Sequence, residues 1–453
     1  MSVKIIYMEK LFKGKKITIM GLGLHGGGVG VAKFFCQQDA DVLVTDLKTK
    51  EQLKESLKKL KKYKNIKYRL GEHKKEDFVN ADLVIKNPDV PNDSPFLEVA
   101  RKNNVSIKTD ISIFFDLCQA PIIGVTGTKG KSTVATLIYE LLKTKYKNTI
   151  LAGNIGVSPL EFLNKINSRP HQKFGSGWVV LELSSFELEG LAKSPQVAVI
   201  TNILPDHLNR YANMERYIQA KKTIFKYQKS RDTLILNKDN FIVRQFAGEA
   251  ASKVYFFSLK ELPKGIKLDN FKLLGNHNLS NLLAAIKVAE VLKIPPKNIE
   301  KSLKTFKGLA SRQEFVGEIR GVKYFNDTTA TMPEATIAAI RVFSEEFPES
   351  KLILICGGVD KRLKYGELAK IIKEKVGELI MLPGTASDKI KENLVSYLNM
   401  HEISSMSEAV EKSSKLAKKG DIVLLSPGAA SFNLFKNEFD RGNQFIKEVK
   451  KIK

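Results

Sequence analysis

The apolar positions of this chain fall into short runs that alternate with stretches of helical spacing, and the pattern is sharpest between Pro121 and Leu142. Ile122 to Val125 is an unbroken apolar run that predicts a buried strand, after which Val134, Leu137, Ile138, Leu141 and Leu142 recur at helical spacing. Upstream, strands are predicted at Lys15–Met20, Asp41–Thr45, Ala81–Lys86 and Val105–Lys108, with a helix over Val29–Gln38 and a solvated, lysine-dense helix over Glu51–Lys67. Downstream, strands are predicted at Trp178–Leu183 and Gln196–Asn202, with helices over Met214–Tyr227 and from Asn276-His277-Asn278 through Val291. A short helix ends near Phe306. A hairpin then pairs Glu314–Ile319 with Val322–Phe325 around Arg320-Gly321, Pro333 opens a helix, and strands follow at Lys351–Cys356, Glu378–Leu382 and Asp421–Leu425. This repetition predicts an α/β protein of three domains: a Rossmann-like N-terminal domain over 1–110, a central P-loop domain with a mostly parallel sheet over 111–308, and a Rossmann-like C-terminal domain over 309–453.

Composition narrows the function. A 453-residue chain with 43% hydrophobic and 27% charged residues has ample core for such a fold. Met1–Lys16 is interrupted by Lys4, Glu9, Lys10 and Lys13, so no secretory signal is expected, and no apolar run is long enough to span a bilayer. Cys36, Cys118 and Cys356 are far apart and form neither a disulfide framework nor a zinc spacing, which points to a reducing cytoplasm. The net charge of +25 raises nucleic acid as a partner. The lysines, however, are spread along the chain without an aromatic and arginine stacking pattern, so anionic small substrates or plain solubility account for the charge as well.

The candidate chemistry sits at strand ends. Gly127-Thr128-Lys129-Gly130-Lys131-Ser132-Thr133 lies between the first-described strand and helix, where backbone N–H groups and a helix N-terminus cradle phosphates. Lys131 can reach terminal phosphates and Ser132 a magnesium ion. Val125 stands where a standard P-loop has its first glycine, so the loop is a tighter variant. Gly21-Leu22-Gly23-Leu24-His25-Gly26 is a GxGxxG turn, and Asp46 closes the next strand about twenty residues on; the pair is suited to a nucleotide diphosphate or a dinucleotide. Glu182 ends a strand beside the cradle, as a magnesium-holding acid does, and Asn154 lies in the turn GNIG. His207, with Asp206 and Arg210 beside it, follows another strand end. Asn281 either reads an adenine edge or caps its helix. By composition nothing separates Lys221 from a surface lysine. In the last third, Lys361, Arg362 and Ser431 lie in glycine- or serine-rich loops suited to a carboxylate-bearing partner.

Taken together and in this order, GTKGKST, GNIG, ELSSFELE, TNILPDHLNRY, AKK at 220–222, HNLSN, SRQE and SPGAASFNLFKNEFDRG resemble the Mur ligases over nearly the whole chain, and within them the glutamate-adding branch. The resemblance implies an ATP-dependent ligase that joins glutamate to UDP-N-acetylmuramoyl-L-alanine through an acyl phosphate, a monomer that needs neither nucleic acid nor membrane. By the same resemblance the loop Gly127–Thr133, Asn281, Arg312 and Asp327 would bind ATP. Ser132 and Glu182 would hold one magnesium ion and His207 would join a second metal site. Lys221 would be carbamylated, turning a cation into a magnesium ligand. Leu24, His25, Asp46 and Asn87 would hold the uridine diphosphate end, Asn154 and His207 would line the path of the muramoyl-alanine, and Thr331, Lys361 and Ser431 would bind the incoming glutamate.

Two departures fall in the part that chooses the amino acid. The loop after Asp327 reads DTTATM where the branch usually has DSKATN, so Thr329 replaces a lysine, with Lys323 and Arg362 as the available substitutes; Glu438-Phe439 inverts the usual order. L-glutamate therefore stands as an alternative to D-glutamate. A nicotinamide-dependent oxidoreductase built on the GxGxxG turn and a nucleic-acid-stimulated P-loop ATPase are the alternatives of other classes.

Overall fold

A computed structural model describes residues 10–24, 26–167, 177–207, 210–269, 271, 273–395, 397–431 and 434–452. The chain divides into two compact units, one formed by residues 1–268 and 280–304, the other by residues 269–279 and 305–453.

The first unit carries two sheets. In chain order, β1 (Lys16–Met20), β2 (Asp41–Asp46), β3 (Ile66–Leu70), β4 (Leu83–Lys86) and β5 (Ser106–Lys108) form a parallel sheet of order β3-β2-β1-β4-β5. The Gly21 turn follows the central strand, beside which the strand order reverses, and that is where open α/β sheets collect ligands. The second sheet is also parallel. It is built from β6 (Ile122–Thr126), β7 (Ile150–Gly153), β8 (Val179–Glu182), β9 (Val197–Ile200), β10 (Thr233–Asn237) and β11 (Lys253–Phe257), in the order β11-β10-β9-β6-β8-β7. β6 is central and wholly buried, as the unbroken apolar run predicts. One hydrophobic cluster, running from Ile17 and Phe34 to Ile122, Leu181 and Ile224, underlies both sheets.

The second unit contains β12 (Glu314–Ile319), β13 (Val322–Asn326), β14 (Leu352–Gly357), β15 (Glu378–Leu382), β16 (Met400–Glu402) and β17 (Ile422–Leu425), in the order β12-β13-β17-β14-β15-β16. The β12–β13 pair is the expected antiparallel hairpin; Arg320 (φ 53°) and Gly321 (φ 76°) are both left-handed, as a two-residue hairpin turn requires. Along β14 the side chains alternate between two cores: Leu352, Leu354 and Cys356 enter one, Ile353 and Ile355 the other.

One expected element is different. Within Glu51–Lys67 only Lys54–Lys58 is α-helical, and Ile66–Leu70 is strand β3. Ile66 packs in the core and pairs with Val42, so cross-strand packing overrides the helix-favouring lysines. Among the described residues no helix is long and apolar enough to cross a membrane.

Candidate active site

The turn after β6 is built around two glycines. Gly127 has φ 151°, and a Cβ there would lie 1.9 Å from Thr201 Oγ1. Gly130 is left-handed (φ 84°) at the N-cap of the helix Lys131–Lys143, and a Cβ there would lie 2.2 Å from Asn281 Oδ1. The segment after β9 braces the turn: Thr128 N donates to Asn202 O (2.8 Å) and Lys129 N to Asn202 Oδ1 (2.9 Å). The first helical bond runs from Val134 N to Gly130 O, leaving the amides of Lys131, Ser132 and Thr133 ahead of it at the helix mouth.

Around this cradle the chain gathers charge. Lys131 Nζ donates to the Gly127 and Thr128 carbonyls (3.0 and 2.9 Å), and Lys221 Nζ donates to the same Gly127 carbonyl (2.9 Å). Lys221 is only 1% exposed. Burial, reinforced by the Lys131 charge, pulls its ammonium down to about 6 against the opposing pull of Asp206 and Glu187, so the amine is largely neutral at pH 7. Glu182 ends β8 in register with Val125 and is buried. Its Oε1 accepts from Asn154 Nδ2 (3.2 Å), while its Oε2 has no hydrogen-bond partner among the described residues. An unmatched, buried carboxylate oxygen beside a phosphate cradle is the donor a hard cation needs. Among the described residues no three His, Cys, Asp or Glu side chains form a ready-made cage. A magnesium ion held by one carboxylate, a hydroxyl and substrate phosphates requires none.

His207 joins this group. Its backbone is left-handed (φ 55°), its ring lies edge-on to Phe186 at 4.9 Å, and its basicity is lowered by burial first and then, against Asp206, by Lys131, Lys221 and Lys129. Arg210 lies beside His207, as its sequence position indicates: its amide donates to His207 O (2.9 Å) and its guanidinium lies 5.2 Å from the centroid of the Phe186 ring that His207 also meets. Its guanidinium donates to Asp89 O (3.0 Å) and Val90 O (3.1 Å), clipping the loop after β4 to the segment after β9.

At the edge of the first sheet, Asp46 accepts from the amides of Leu22 (2.9 Å), Gly23 (3.1 Å) and Lys48 (2.9 Å), so its carboxylate shapes the glycine turn. Asn87 closes on the same turn through Gly21 O (3.3 Å), and Leu24 is exposed at its rim. His25 lies outside the described residues.

In the second unit three loops are stitched together at the carboxyl ends of β13, β14 and β17. Asp327 N donates to Leu425 O (2.7 Å), Gly428 N to Ala330 O (2.8 Å), and Val359 and Ala430 exchange backbone bonds (2.9 and 3.0 Å). Asp327 is buried, accepting from Ser426 Oγ (2.9 Å) and Gln313 N (3.2 Å), and burial raises its carboxyl to about 7. The same loops carry Thr331 (half-buried), Ser431 (buried) and Lys361 (exposed), and Arg312 is exposed just ahead of β12. Thr329, in the lysine's place, is tied by Oγ1 to Ser311 O (2.8 Å). Lys323 is no substitute for that lysine: it lies at the start of β13, its ammonium 4.9 Å from the Phe347 ring centroid. Arg362, left-handed at φ 62°, lies beside the Val359–Ala430 bridge.

Sequence reasoning missed Tyr217, whose hydroxyl meets Thr128 Oγ1 (3.1 Å) and whose ring centroid lies 4.8 Å from Lys221 Nζ. A signal existed: Tyr217, Ala220, Lys221 and Ile224 share the buried face of the helix Met214–Lys226, which makes Lys221 a lysine on an apolar stripe.

A glycine loop between the central strand of a parallel sheet and a helix, a lysine folded over it and an acid at the next strand end define a P-loop nucleotide-binding α/β protein. Three family models match consecutive stretches: the Mur ligase MurD-like N-terminal domain over residues 15–109, the Mur ligase middle domain over 125–271 and the Mur ligase glutamate ligase domain over 311–428. Curated relatives named UDP-N-acetylmuramoylalanine–D-glutamate ligase include one from Roseiflexus sp. (strain RS-1), 40% identical over 96% of this chain and 98% of its own length, and one from Acetivibrio thermocellus, 36% identical over 100% of both. Among solved structures, UDP-N-acetylmuramate–alanine ligase MurC from Thermotoga maritima matches with a TM-score of 0.63 at 21% identity, covering 96% of this chain and 99% of that one. MurF ligase from the same organism in complex with ADP matches at 0.57 and 16%, covering 98% and 97%. The chain belongs to the Mur ligase family and is an ATP-dependent, amide-bond-forming ligase.

Proposed function

We propose that this ligase joins D-glutamate to UDP-N-acetylmuramoyl-L-alanine, in the cytoplasm and as a monomer, during peptidoglycan precursor synthesis. The observation that carries the reading is the convergence of Lys131 and Lys221 on the Gly127 carbonyl, with the half-satisfied Glu182 at the end of the strand paired with β6. Full-length similarity to relatives named for that reaction supports the substrate pair. The work divides among residues 1–110 for the uridine diphosphate end, 111–308 for ATP and 309–453 for glutamate.

A carboxylate is a poor electrophile, so the γ-phosphoryl of ATP first converts it to an acyl phosphate, and the amine of glutamate then attacks and releases phosphate. The amides of Lys131, Ser132 and Thr133 at the helix mouth hold the phosphates, the rest of the Gly127–Thr133 loop is braced by Asn202, Asn281 seats the loop, and Lys131 disperses charge as the phosphoryl moves. Ser132 and Glu182 would hold one magnesium ion, and His207 with carbamylated Lys221 a second; when bound, these ions neutralise phosphate charge. A buried amine largely neutral at pH 7 supports carbamylation, in which the nitrogen lone pair attacks carbon dioxide and a proton leaves. On this reading the uridine diphosphate is the ligand of Leu24, His25, Asp46 and Asn87, the muramoyl-alanine that of Asn154 and His207, the glutamate that of Thr331, Lys361 and Ser431, and Arg312 and Asp327 belong to the ATP-binding set.

Phosphate release by the purified protein, with ATP, nucleotide sugar and glutamate omitted in turn, tests the reading. Turnover is expected only with all three. Release that ignores glutamate, or none with the nucleotide sugar present, refutes it. Thr329 in place of lysine makes D- against L-glutamate the decisive pair of acceptors, and D-specific turnover is expected.

A further inference from the structure

Among the described residues the bulkiest fully buried side chain is a charged one: Arg441 is 0% exposed. It lies in the first turn of the helix Glu438–Val449, and no carboxylate forms an ion pair with it among the described residues. Its three bonds go instead to two loops. Nε donates to Thr328 Oγ1 (3.0 Å), Nη2 to Thr328 O (2.9 Å) and Nη1 to Ala429 O (3.2 Å). Thr328 Oγ1 in turn donates to Glu438 O (2.8 Å), locking the loop to the start of the same helix. The next residue shows how closely the helix approaches: a Cβ on Gly442 would lie 2.6 Å from Thr328 Cγ2.

A buried cation without a counter-ion is costly, and a methionine or leucine of similar volume would fill the space without that cost. What an apolar side chain lacks is a rigid planar fork that holds two carbonyls of different loops at a set separation. One of those loops runs on from Thr328 to Thr331, and the other from Ala429 to Ser431.

We propose that Arg441 is a positioning residue for the acceptor amino acid, its guanidinium setting the spacing between the loops after β13 and β17 and hence between Thr331 and Ser431. The proposal rests on the reading that these loops receive glutamate. It accounts for a charge that neither the ATP cradle nor the hydrophobic cores explain.

The test uses the full-length protein with Arg441→Met, Arg441→Lys and Thr328→Val, measuring KM for glutamate, KM for the nucleotide sugar and kcat, with circular dichroism melting as the check on folding. Arg441→Met should raise the KM for glutamate at least ~10-fold, as a displacement of order 1 Å at a binding loop does, while the KM for the nucleotide sugar stays within about twofold. Arg441→Lys keeps the charge but loses the fork, and should resemble the methionine variant. Thr328→Val removes one of the three acceptors at constant shape; it should move the same KM in the same direction by a smaller factor, and carries the test by itself where Arg441→Met does not fold. An unchanged glutamate KM in a folded variant, an equal rise in both KM values, or full rescue by lysine overturns the proposal. Wild-type turnover that needs no glutamate overturns the functional reading, and this proposal with it.

Discussion

Glu187 is the clearest place to set a magnitude against a measurement. The residue belongs to the capping box Ser184/Glu187 that starts the short helix Ser185–Leu188, its Oε2 accepting from Ser184 N at 2.7 Å. It is fully buried, and burial, aided by the nearby Asp110 carboxyl, raises its pKa from 4.5 to about 8. The sign follows from proton counting. An acid whose folded pKa is raised binds more protons folded than unfolded between the two values, so its contribution to stability is complete below about 4.5 and is lost as pH rises toward 8. At ~1.4 kcal/mol per unit, the loss between pH 4.5 and pH 7 is at most ~3 kcal/mol.

Glu187→Gln keeps the shape and the acceptor for Ser184 N but cannot ionise. The variant should match the wild type near pH 4.5 and exceed it by up to ~3 kcal/mol at pH 7, the gap widening toward pH 8. Comparing the two proteins at each pH cancels the titration of every other group they share. The chain supplies its own probe: Trp178 is the single tryptophan, buried immediately ahead of β8, the strand that leads into this capping box. Urea titrations followed by Trp178 fluorescence, at pH 5, 6, 7 and 8, give the difference in midpoint directly. A constant difference across that range, or a variant less stable at pH 8 than at pH 5 relative to wild type, would refute the assignment of a neutral buried acid.

Three further outcomes follow from the same geometry. Lys221→Ala should lose ~100-fold or more in turnover, and bicarbonate or acetate should restore part of it, because a small carboxylate would stand in for the proposed carbamate; full activity in the untreated variant would remove Lys221 from the mechanism. Gly127→Ala forces a Cβ against Thr201 Oγ1 at a φ that other residues rarely adopt, so ATP affinity measured by calorimetry should fall by about 2 kcal/mol or more, with the affinity for the nucleotide sugar retained. Arg210→Met frees the Asp89 and Val90 carbonyls, and the KM for the nucleotide sugar should rise roughly 10-fold with the KM for ATP unchanged; an ATP effect of equal size would place Arg210 at the cradle instead.

Most of the sheet strands and the glycine cradle were legible because their signals are local. A buried parallel strand is an apolar run, and a phosphate turn needs glycine where φ is positive. Strand β3 was hidden because its alternation, Ile66, Tyr68 and Leu70, emerges from a lysine-rich stretch whose composition favours helix. Strand β16 was hidden because three residues at a sheet edge carry no period. The role of Thr329 was half legible. The missing cation shows in the sequence, but only the bond to Ser311 shows that the threonine is engaged elsewhere, and only the fold removes Lys323 as its substitute.

Glu182, read from the sequence, shares one property with Lys221 and Arg441, which composition did not single out. All three are ionisable side chains that the fold buries, exposed by 1% at Lys221, 2% at Glu182 and 0% at Arg441. No one of them is kept by a closely bonded opposite charge. Lys221 rests on a carbonyl of the glycine loop, Glu182 on a single side-chain amide, and Arg441 on a threonine and two loop carbonyls. Burial on those terms costs stability that an apolar residue would not, so folding alone does not account for any of the three. At Glu182 the unmatched oxygen suits the role proposed for it, as a ligand to a hard cation. At Lys221 the depressed basicity suits the carbamylation proposed for it. Arg441 has neither a free lone pair nor a reactive nitrogen, and its remaining office is geometric, which is why its variants should move the acceptor's KM before they move anything else.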